Sequence, residues 1–554
     1  MKTVFTSLCF LFFSCSLLQA QSTLGQVYNI FQAKCVSCHN HNAPEAGLDL
    51  EGAGSTAEAK IQSVYDNLFR VTPENDFAAG KGYVHIYPGR PDQSFLFRKI
   101  NQGLERTITL EAGEEDPMPL SSQPQLSDME KEMIRQWILY GAPRVGTVVD
   151  EQIIDDYYNL NGVASFPDGP PPAPAEGEGF QIKVGPFYLT PAGQAGHELE
   201  FFQKYELMLP ENIEVDRIDM QFSNYSHHFI IYNFESQQGA SVIPDGLRLE
   251  ADHSDISLVA AIQEPTDLGL PEGTGFRWDK DMVLDLNSHY INYSSTSTYQ
   301  AEVYVNIYTQ PVGTAKQEMK TELIANLNIP IPNNGDWIEH QQNINYNLGE
   351  VYLWGLMGHT HKYGRGYKVF KRINGQVADL IYDASCPWGV PGCASPNFDY
   401  QHIPLRYYDT FEPIMMNAFN GLRHEAAWVN EGPFSVNFGP TSNDEMMVLV
   451  MMYLEDTTGV SIITSVAEPE AINPLSEVMV YPNPVESEAS IVLPADLGRV
   501  QIRMYDLLGR EVKNQILDNG RLFFMDCSDL EQGVYVYMLI DSDGHQLTRK
   551  LMVE

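Results

Sequence analysis

WGLMGHTHKYGRGYKV, residues Trp354 to Val369, decides how this chain is read. On a β-strand, residues two apart look the same way, so the imidazoles of His359 and His361 can face one ion. A pair of histidines is half a metal site, and three other segments offer the rest: Ser226-His227-His228-Phe229, Asn287-Ser288-His289-Tyr290, and Thr441 to Met446, TSNDEM. Five of the fourteen histidines thus sit in apolar or aromatic, strand-like surroundings. Consecutive residues on a regular strand face opposite ways, so His227 and His228 can share an ion only where the strand ends or bulges.

Working outward, short alternating runs fill residues 180 to 458: FQIKVGPFYL, HHFIIYNF, MVLDLNSHYINY, AEVYVNIYT, GYKVFKR and MMVLVMMYLE. Strands of this length with Gly, Pro and Asn between them predict two antiparallel, jelly-roll-like β-sandwiches, 180–312 and 313–462, joined near Pro311 to Lys316. His227, His228 and His289 then belong to the first sandwich, and His359, His361 and Met446 to the second.

The order HH, HY, HTH followed by G-x-G-Y-x-V, then TSNDEM, resembles the copper type II, ascorbate-dependent monooxygenases, which include peptidylglycine and dopamine hydroxylases. The resemblance implies two copper ions. One, on His227, His228 and His289, stores and relays an electron; the other, on His359, His361 and Met446, activates dioxygen and takes hydrogen from a substrate carbon. A thioether beside two imidazoles suits Cu(I), the state that binds dioxygen. Met447, Met451 and Met452 read as core filling. Where peptidylglycine-type members hold a carboxylate with Arg and Tyr, this chain has Met357 and Val450, so an amidating function is not expected. Arg365 and Arg406 are alternative anion contacts, and His402 and His424 read as second-rank groups or satisfied histidines.

Residues 21–145 carry a different chemistry. Cys35-Val36-Ser37-Cys38-His39 is the attachment string of a c-type haem, with two thiols for the vinyl groups and His39 as an axial ligand. Zinc or a redox dithiol is the competing reading. Met118, between Pro117 and Pro119, is the expected sixth ligand, with His41 and His85 as alternatives. Met129 and Met133 are assigned to packing, because Ser127 and Glu130 form a capping box ahead of a helical face of Met133, Ile134, Trp137 and Ile138. GLDLEG, PGRPDQSFLFRKI and the closing helix ending in YGAP resemble the small all-α cytochrome c domains fused to exported bacterial enzymes. A Pro/Gly-rich linker, 146–179, is expected to be a semi-rigid spacer that tethers this domain.

The remaining chain speaks to location. Lys2, the apolar run Val4 to Leu18 and the cleavage site Leu18-Gln19-Ala20 read as a signal peptide, 1–20, with a lipoprotein cut before Cys15 as the lesser alternative. In an oxidising compartment Cys386 and Cys393 are expected to pair, two reduced thiols being the alternative; Cys527 reads as an inert core thiol. Residues 474–554, with VYPNP, IRMYDLLGREV and GVYVYMLIDSDGHQLTRKLMVE, resemble the sorting domain of type IX secretion and predict a small β-sandwich. A net charge of −39 argues against nucleic acid and anionic membranes as partners, and no second long apolar segment suggests a membrane span. The expectation is an exported copper monooxygenase that hydroxylates a small organic substrate with dioxygen. Its electrons would come from ascorbate, a cytochrome or the fused haem. The competing expectation is a non-catalytic surface protein for electron transfer or metal binding.

Overall fold

Strands form where the alternation predicts them, among them Gly179–Leu189, Ser226–Phe234, Val283–Ile291, Tyr299–Gln310, Gly349–His359, Gly364–Ile373 and Val448–Leu454. The computed structural model describes residues 22 to 461, save 161, 224, 254, 263–264, 385–397, 399, 401–402 and 440–442, and residues 475 to 553, save 476–477, 482, 486, 494–496, 507–509, 519 and 542–545. The signal peptide, the Cys386/Cys393 pairing, His402 and the Thr441-Ser442 start of TSNDEM lie outside the described residues. The chain divides into two compact units, Met1–Ile462 and Ile463–Glu554.

In the first unit, a seven-stranded and a five-stranded sheet enclose one core, in which Val215, Ile218, Val305 and Ile307 meet Phe201, Phe229, Leu284 and Leu286. The five-stranded sheet runs Gly246–Arg248, Glu198–Glu206, Val283–Ile291, Ser226–Phe234, Ile256–Ile262. Two four-stranded sheets enclose the second core; one of them runs Lys320–Ala325, Val448–Leu454, Gly349–His359, Arg406–Met416. Pairing is antiparallel throughout these sheets except for two short parallel contacts, at Thr274 and at Tyr299. The two cores interlock: Leu258 and Ala261 pack into the second, Trp354, Met452 and Leu454 into the first. The Thr321 hydroxyl donates to the Val259 carbonyl at 2.9 Å, which fixes the two pairs of sheets edge against edge.

Residues 22–160 hold six α-helices, Thr23–Lys34, Ala57–Leu68, Asp76–Gly80, Phe95–Asn101, Asp128–Leu139 and Glu151–Asn159. Ser127 and Glu130 form the expected capping box, and Met133, Ile134, Trp137 and Ile138 are buried. Two expectations need correction. The region is not purely helical, since His39–Asn40 pairs with Ala43–Pro44, so an all-α cytochrome fold is not what the backbone displays. Nor is 146–179 a spacer standing apart from the folded core. A helix occupies Glu151–Asn159, and Pro171 and Pro172 accept hydrogen bonds from Gln181 and Asn306 at 3.1 and 3.0 Å. The helices themselves are docked by charge. Lys183 reaches Glu302 at 2.7 Å and also Glu105, which Arg135 meets at 3.0 Å. Glu105, Arg135 and Glu302 are buried and Lys183 is partly so, and their mutual pairing is what makes that burial tolerable. Backbones touch here as well: a Cβ on Gly246, where φ is +87°, would lie 2.2 Å from the Gly141 amide nitrogen. Only glycine permits that approach.

The second unit, taken by itself, is a three-stranded and a four-stranded antiparallel sheet around a core that includes Val485, Ile491, Ile502, Leu539, Leu551 and the buried thiol of Cys527. Its strands are those expected from the VYPNP, IRMYDL and GVYVYMLI runs.

Candidate metal centre

His227 and His228 lie at the start of Ser226–Phe234, where the ladder with Val283–Ile291 slips: His289 faces His228, but Tyr290 faces Ser226. His227 is the extra residue of a bulge, and a bulge turns a side chain off its regular face. Both imidazoles thereby reach the face that carries His289. Across from them Gly349–His359 ends, and the chain leaves the sheet so that His361 turns back beside His359.

The sequence separates these residues into two groups of three. The structure sets all five histidines side by side. Ring centroids lie 5.2 Å apart for His227/His289, His228/His289 and His359/His361, and the rings of His227 lie only 5.6 and 5.9 Å from those of His359 and His361. The physical reason is the interlock of the two cores, which brings the strand of His227 against that of His359. Nitrogens of His227, His228 and His359 fall within 4.8 Å of one another.

All five rings are buried. His228 directs Nε2 at Glu200 (3.2 Å) and the Asn287 amide oxygen (3.0 Å), and His289 directs Nε2 at Glu198 (3.1 Å). His361 directs Nδ1 at the Asp444 carbonyl (3.3 Å). What remains is a set of nitrogens without a partner: both of His227, Nδ1 of His228 and His289, and Nε2 of His361. A buried polar atom without a partner costs about 1–3 kcal/mol. Such nitrogens together would cost as much as a typical net folding stability of about 5–15 kcal/mol. The arrangement makes sense as a set of ligand atoms. Burial, and after it the neighbouring histidines, hold the pKa of His227 and His359 well below the ordinary imidazole value; burial chiefly brings His361 down to about 4. Neutral imidazoles are the form a metal binds.

Met446 is half-buried and lines, with His228 and His359, a cavity of about 160 Å³. Its walls are mostly apolar, with Ile230, Leu323, Met357, Phe438 and Val450, and Glu200, His253 and Asn287 add polar groups. Met447, Met451 and Met452 are in the core, as expected. His424 is buried and satisfied by Tyr367 (2.6 Å) and Gln342 (2.8 Å), and Arg365 donates to the carbonyls of Lys362 and Gly364.

Sequence reasoning missed Glu198, Glu200, Asn287 and Glu445. The first two stand two apart in ELEFF, the same spacing as the HTH pair, and two carboxylates on one face of an apolar strand were a readable sign. Glu445 is fully buried and accepts from the backbone N–H groups of His361 (2.9 Å), Tyr363 (2.7 Å) and Met446 (3.3 Å) and from Trp428 Nε1 (2.8 Å). Burial pushes its pKa up to about 7 against the pull of those donors. It fastens the HTH turn to the Met446 segment.

In the helical region, Cys35, His39, Met118 and His85 line one largely apolar cavity of about 130 Å³, while Cys38 sits half-buried in the turn between Cys35 and His39. His39 donates from Nδ1 to the Glu45 carbonyl at 3.1 Å, which leaves Nε2 as a lone-pair donor. Burial pushes the Cys35 thiol up to about 12, the reverse of what a redox dithiol needs. His41 is engaged with Asp49 at 2.8 Å. The buried Nδ1 of His85, which lines the same cavity as Met118, has no partner.

Residues 479–554 match the family model of the secretion system C-terminal sorting domain. The chain carries a type IX sorting domain. It is therefore directed by the secretion machinery to the cell surface or beyond. No helix among the described residues is long and apolar enough to cross a membrane. No curated protein sequence matches the chain. Among solved structures it is similar to Ruminococcus gnavus β-glucuronidase in complex with uronic isofagomine, at 9% identity over 63% of this chain and 45% of that one, with a TM-score of 0.14. It is also similar to the STIV MCP, at 10% identity over 50% of this chain and 97% of that one, with a TM-score of 0.20. The chain spans under half the length of the β-glucuronidase, and at these scores neither likeness carries an argument.

Proposed function

We propose that this exported protein is a copper-dependent oxidoreductase of the monooxygenase type that hydroxylates a small, apolar organic substrate, with a c-type haem as an electron carrier in its helical region. The observation that carries this reading is the set of buried imidazole nitrogens without partners, beside an apolar cavity that Met446 also lines. Soft sulfur next to imidazole favours copper over harder ions. Copper bound there would supply the single-electron and dioxygen chemistry that side chains lack. A haem there would be held by Cys35, Cys38, His39 and Met118 and would supply storage for one further electron.

The chain's own residues supply the rest. Glu198 and Glu200 fix the tautomers of His289 and His228, as carboxylates behind metal-bound histidines do. Most of the cavity wall is apolar, which suits a C–H bond, while Glu200, Asn287 and the histidines supply its polar side. At about 160 Å³ the cavity is below the range of roughly 300–1,000 Å³ for drug-sized ligands, so it suits a small molecule or the apolar end of a larger one. Met357 and Val450 on its wall give a carboxylate nothing to bind. Per turnover, substrate R–H, dioxygen, two electrons and two protons become R–OH and water.

The test is metal and haem analysis of the full-length protein followed by oxygen uptake on ascorbate with a panel of small apolar substrates. Stoichiometric copper, covalent haem and substrate-dependent uptake with a hydroxylated product are expected. Protein that refuses copper, or binds it and consumes no oxygen with any reductant and substrate, would remove the proposal.

A further inference from the structure

The cavity beside the histidine cluster has a second polar end. On Val283–Ile291 the side chains of Asp285, Asn287 and His289 alternate onto one face, opposite Tyr232, Ile230 and His228 of the neighbouring strand. His289 belongs to the cluster and Asn287 meets His228 at 3.0 Å, but Asp285 serves a different imidazole. His253 Nδ1 lies 2.6 Å from Asp285 Oδ2, and Arg248 donates to both oxygens of the same carboxylate, to Oδ1 at 2.9 Å. Asp285 is fully buried. Burial raises its pKa, but His253 and Arg248 outweigh it and hold the carboxyl below its ordinary value. A carboxylate only accepts, so the proton between them sits on Nδ1 of His253. Nε2, the other ring nitrogen, has no hydrogen-bond partner among the described residues. The ring packs edge-on against Phe202 and Tyr232, with centroids 5.5 and 5.1 Å away, and all three residues line the cavity. Tyr232 stands four positions along its strand from His228, about 13 Å at the rise of an extended chain. The cavity therefore runs from the cluster to His253.

An imidazole turned and held by a buried carboxylate, in a cavity that is otherwise mostly apolar, is a single oriented polar contact, the kind that fixes how a ligand lies. We propose that His253 is a substrate-binding residue: its Nε2 pairs with a hydroxyl group, so that the substrate is a small, otherwise apolar alcohol with its hydroxyl at His253 and its hydrocarbon part towards His228, His359 and Met446. This rests on the reading above that the cavity is the substrate site. A hydroxyl donates to a bare Nε2 and accepts from a protonated one, so it matches either state of the ring. Glu200 in the same wall repels an anion. Asp285 acts through His253 as a positioning residue, and Arg248 keeps its charge balanced. A site built in this way discriminates against an analogue that lacks the hydroxyl, because that analogue leaves Nε2 unpaired.

Copper-free, full-length protein is titrated with benzyl alcohol and with ethylbenzene, which differ by a hydroxyl in place of a methyl group, and binding is followed by ligand-observed nuclear magnetic resonance. The ratio of the two affinities is compared between wild type and His253→Phe, which cancels the difference in hydrophobicity of the probes. The preference for the alcohol should fall by about five- to tenfold in the variant, the worth of one hydrogen bond. If the variant does not fold, nitrogen-15 spectra of histidine-labelled wild type decide: benzyl alcohol should displace one ring resonance that ethylbenzene leaves in place. An unchanged ratio, identical histidine spectra with the two probes, or no binding of benzyl alcohol overturns the role of His253 and leaves the oxidoreductase reading to its own test of copper and oxygen uptake. Failure of that separate test would remove the oxidoreductase reading without altering the ratio, since no copper is present in this measurement.

Discussion

Glu445 is the side chain on which the position of His361 and Met446 depends, and its replacement separates two sizes of damage. One carboxylate oxygen accepts from the His361 and Met446 N–H groups and from Trp428 Nε1; the other accepts from the Tyr363 N–H at 2.7 Å. Glu445→Gln keeps an oxygen at the triply used position and turns its NH₂ towards Tyr363, so one bond is lost, at about 1–3 kcal/mol. Glu445→Ala leaves at least three buried donors bare, which at the same rate is about 3–9 kcal/mol, a large share of the about 5–15 kcal/mol that holds a folded domain together. Trp428 reports directly, because its indole is one of the donors. Denaturant unfolding followed by tryptophan fluorescence should show a modest fall in midpoint for Gln and, for Ala, a severalfold larger fall or failure to fold. Copper affinity should follow the same order. Equal midpoints for wild type, Gln and Ala would show that the four contacts do not support the turn, and the account of how HTH meets Met446 would be wrong.

Burial raises the pKa of Glu105, but Lys183 and Arg135 outweigh it and hold the carboxyl at about 2 against an ordinary 4.5. The stability this confers, about 3 kcal/mol, is present above the ordinary carboxylate range and is lost as pH falls from about 4.5 through 2; protease cleavage between residues 161 and 178 should therefore rise in that window, and a flat profile would contradict it. Lys183→Met leaves Glu105 and Glu302 buried without this cation and should cost about 3–5 kcal/mol, read as the same cleavage appearing at neutral pH. Met446→Ile removes the sulfur while keeping the bulk; Cu(I) affinity should fall while the five-histidine cluster still binds Cu(II), and unchanged Cu(I) affinity would exclude Met446 as a ligand. Replacing Cys35 and Cys38 by Ser should abolish covalent haem; if turnover with ascorbate then stays at the wild-type rate, the haem does not feed the copper ions.

Much was written locally. The alternation in HHFIIYNF and VYLWGLMGHTH predicts strands because period-two patterning is a property of a few adjacent residues, and the capping box at Ser127 and the sorting-domain runs are local in the same sense. The adjacency of His227 and His228 already demanded an irregular strand. Local pattern does not reach pairing between distant segments: that His289 faces His228 with a slip at the next residue is set by sheets packing on a shared core. For the same reason the sequence divides the ligands between two sandwiches, whereas the interlock of their cores draws all five imidazoles into one cluster. Glu198 and Glu200 acquire a role only once strands about ninety residues apart lie side by side. The docking of the helices is likewise tertiary, since Glu105 and Arg135 of the helical region meet Lys183 and Glu302 of the sandwich only once the two are packed together.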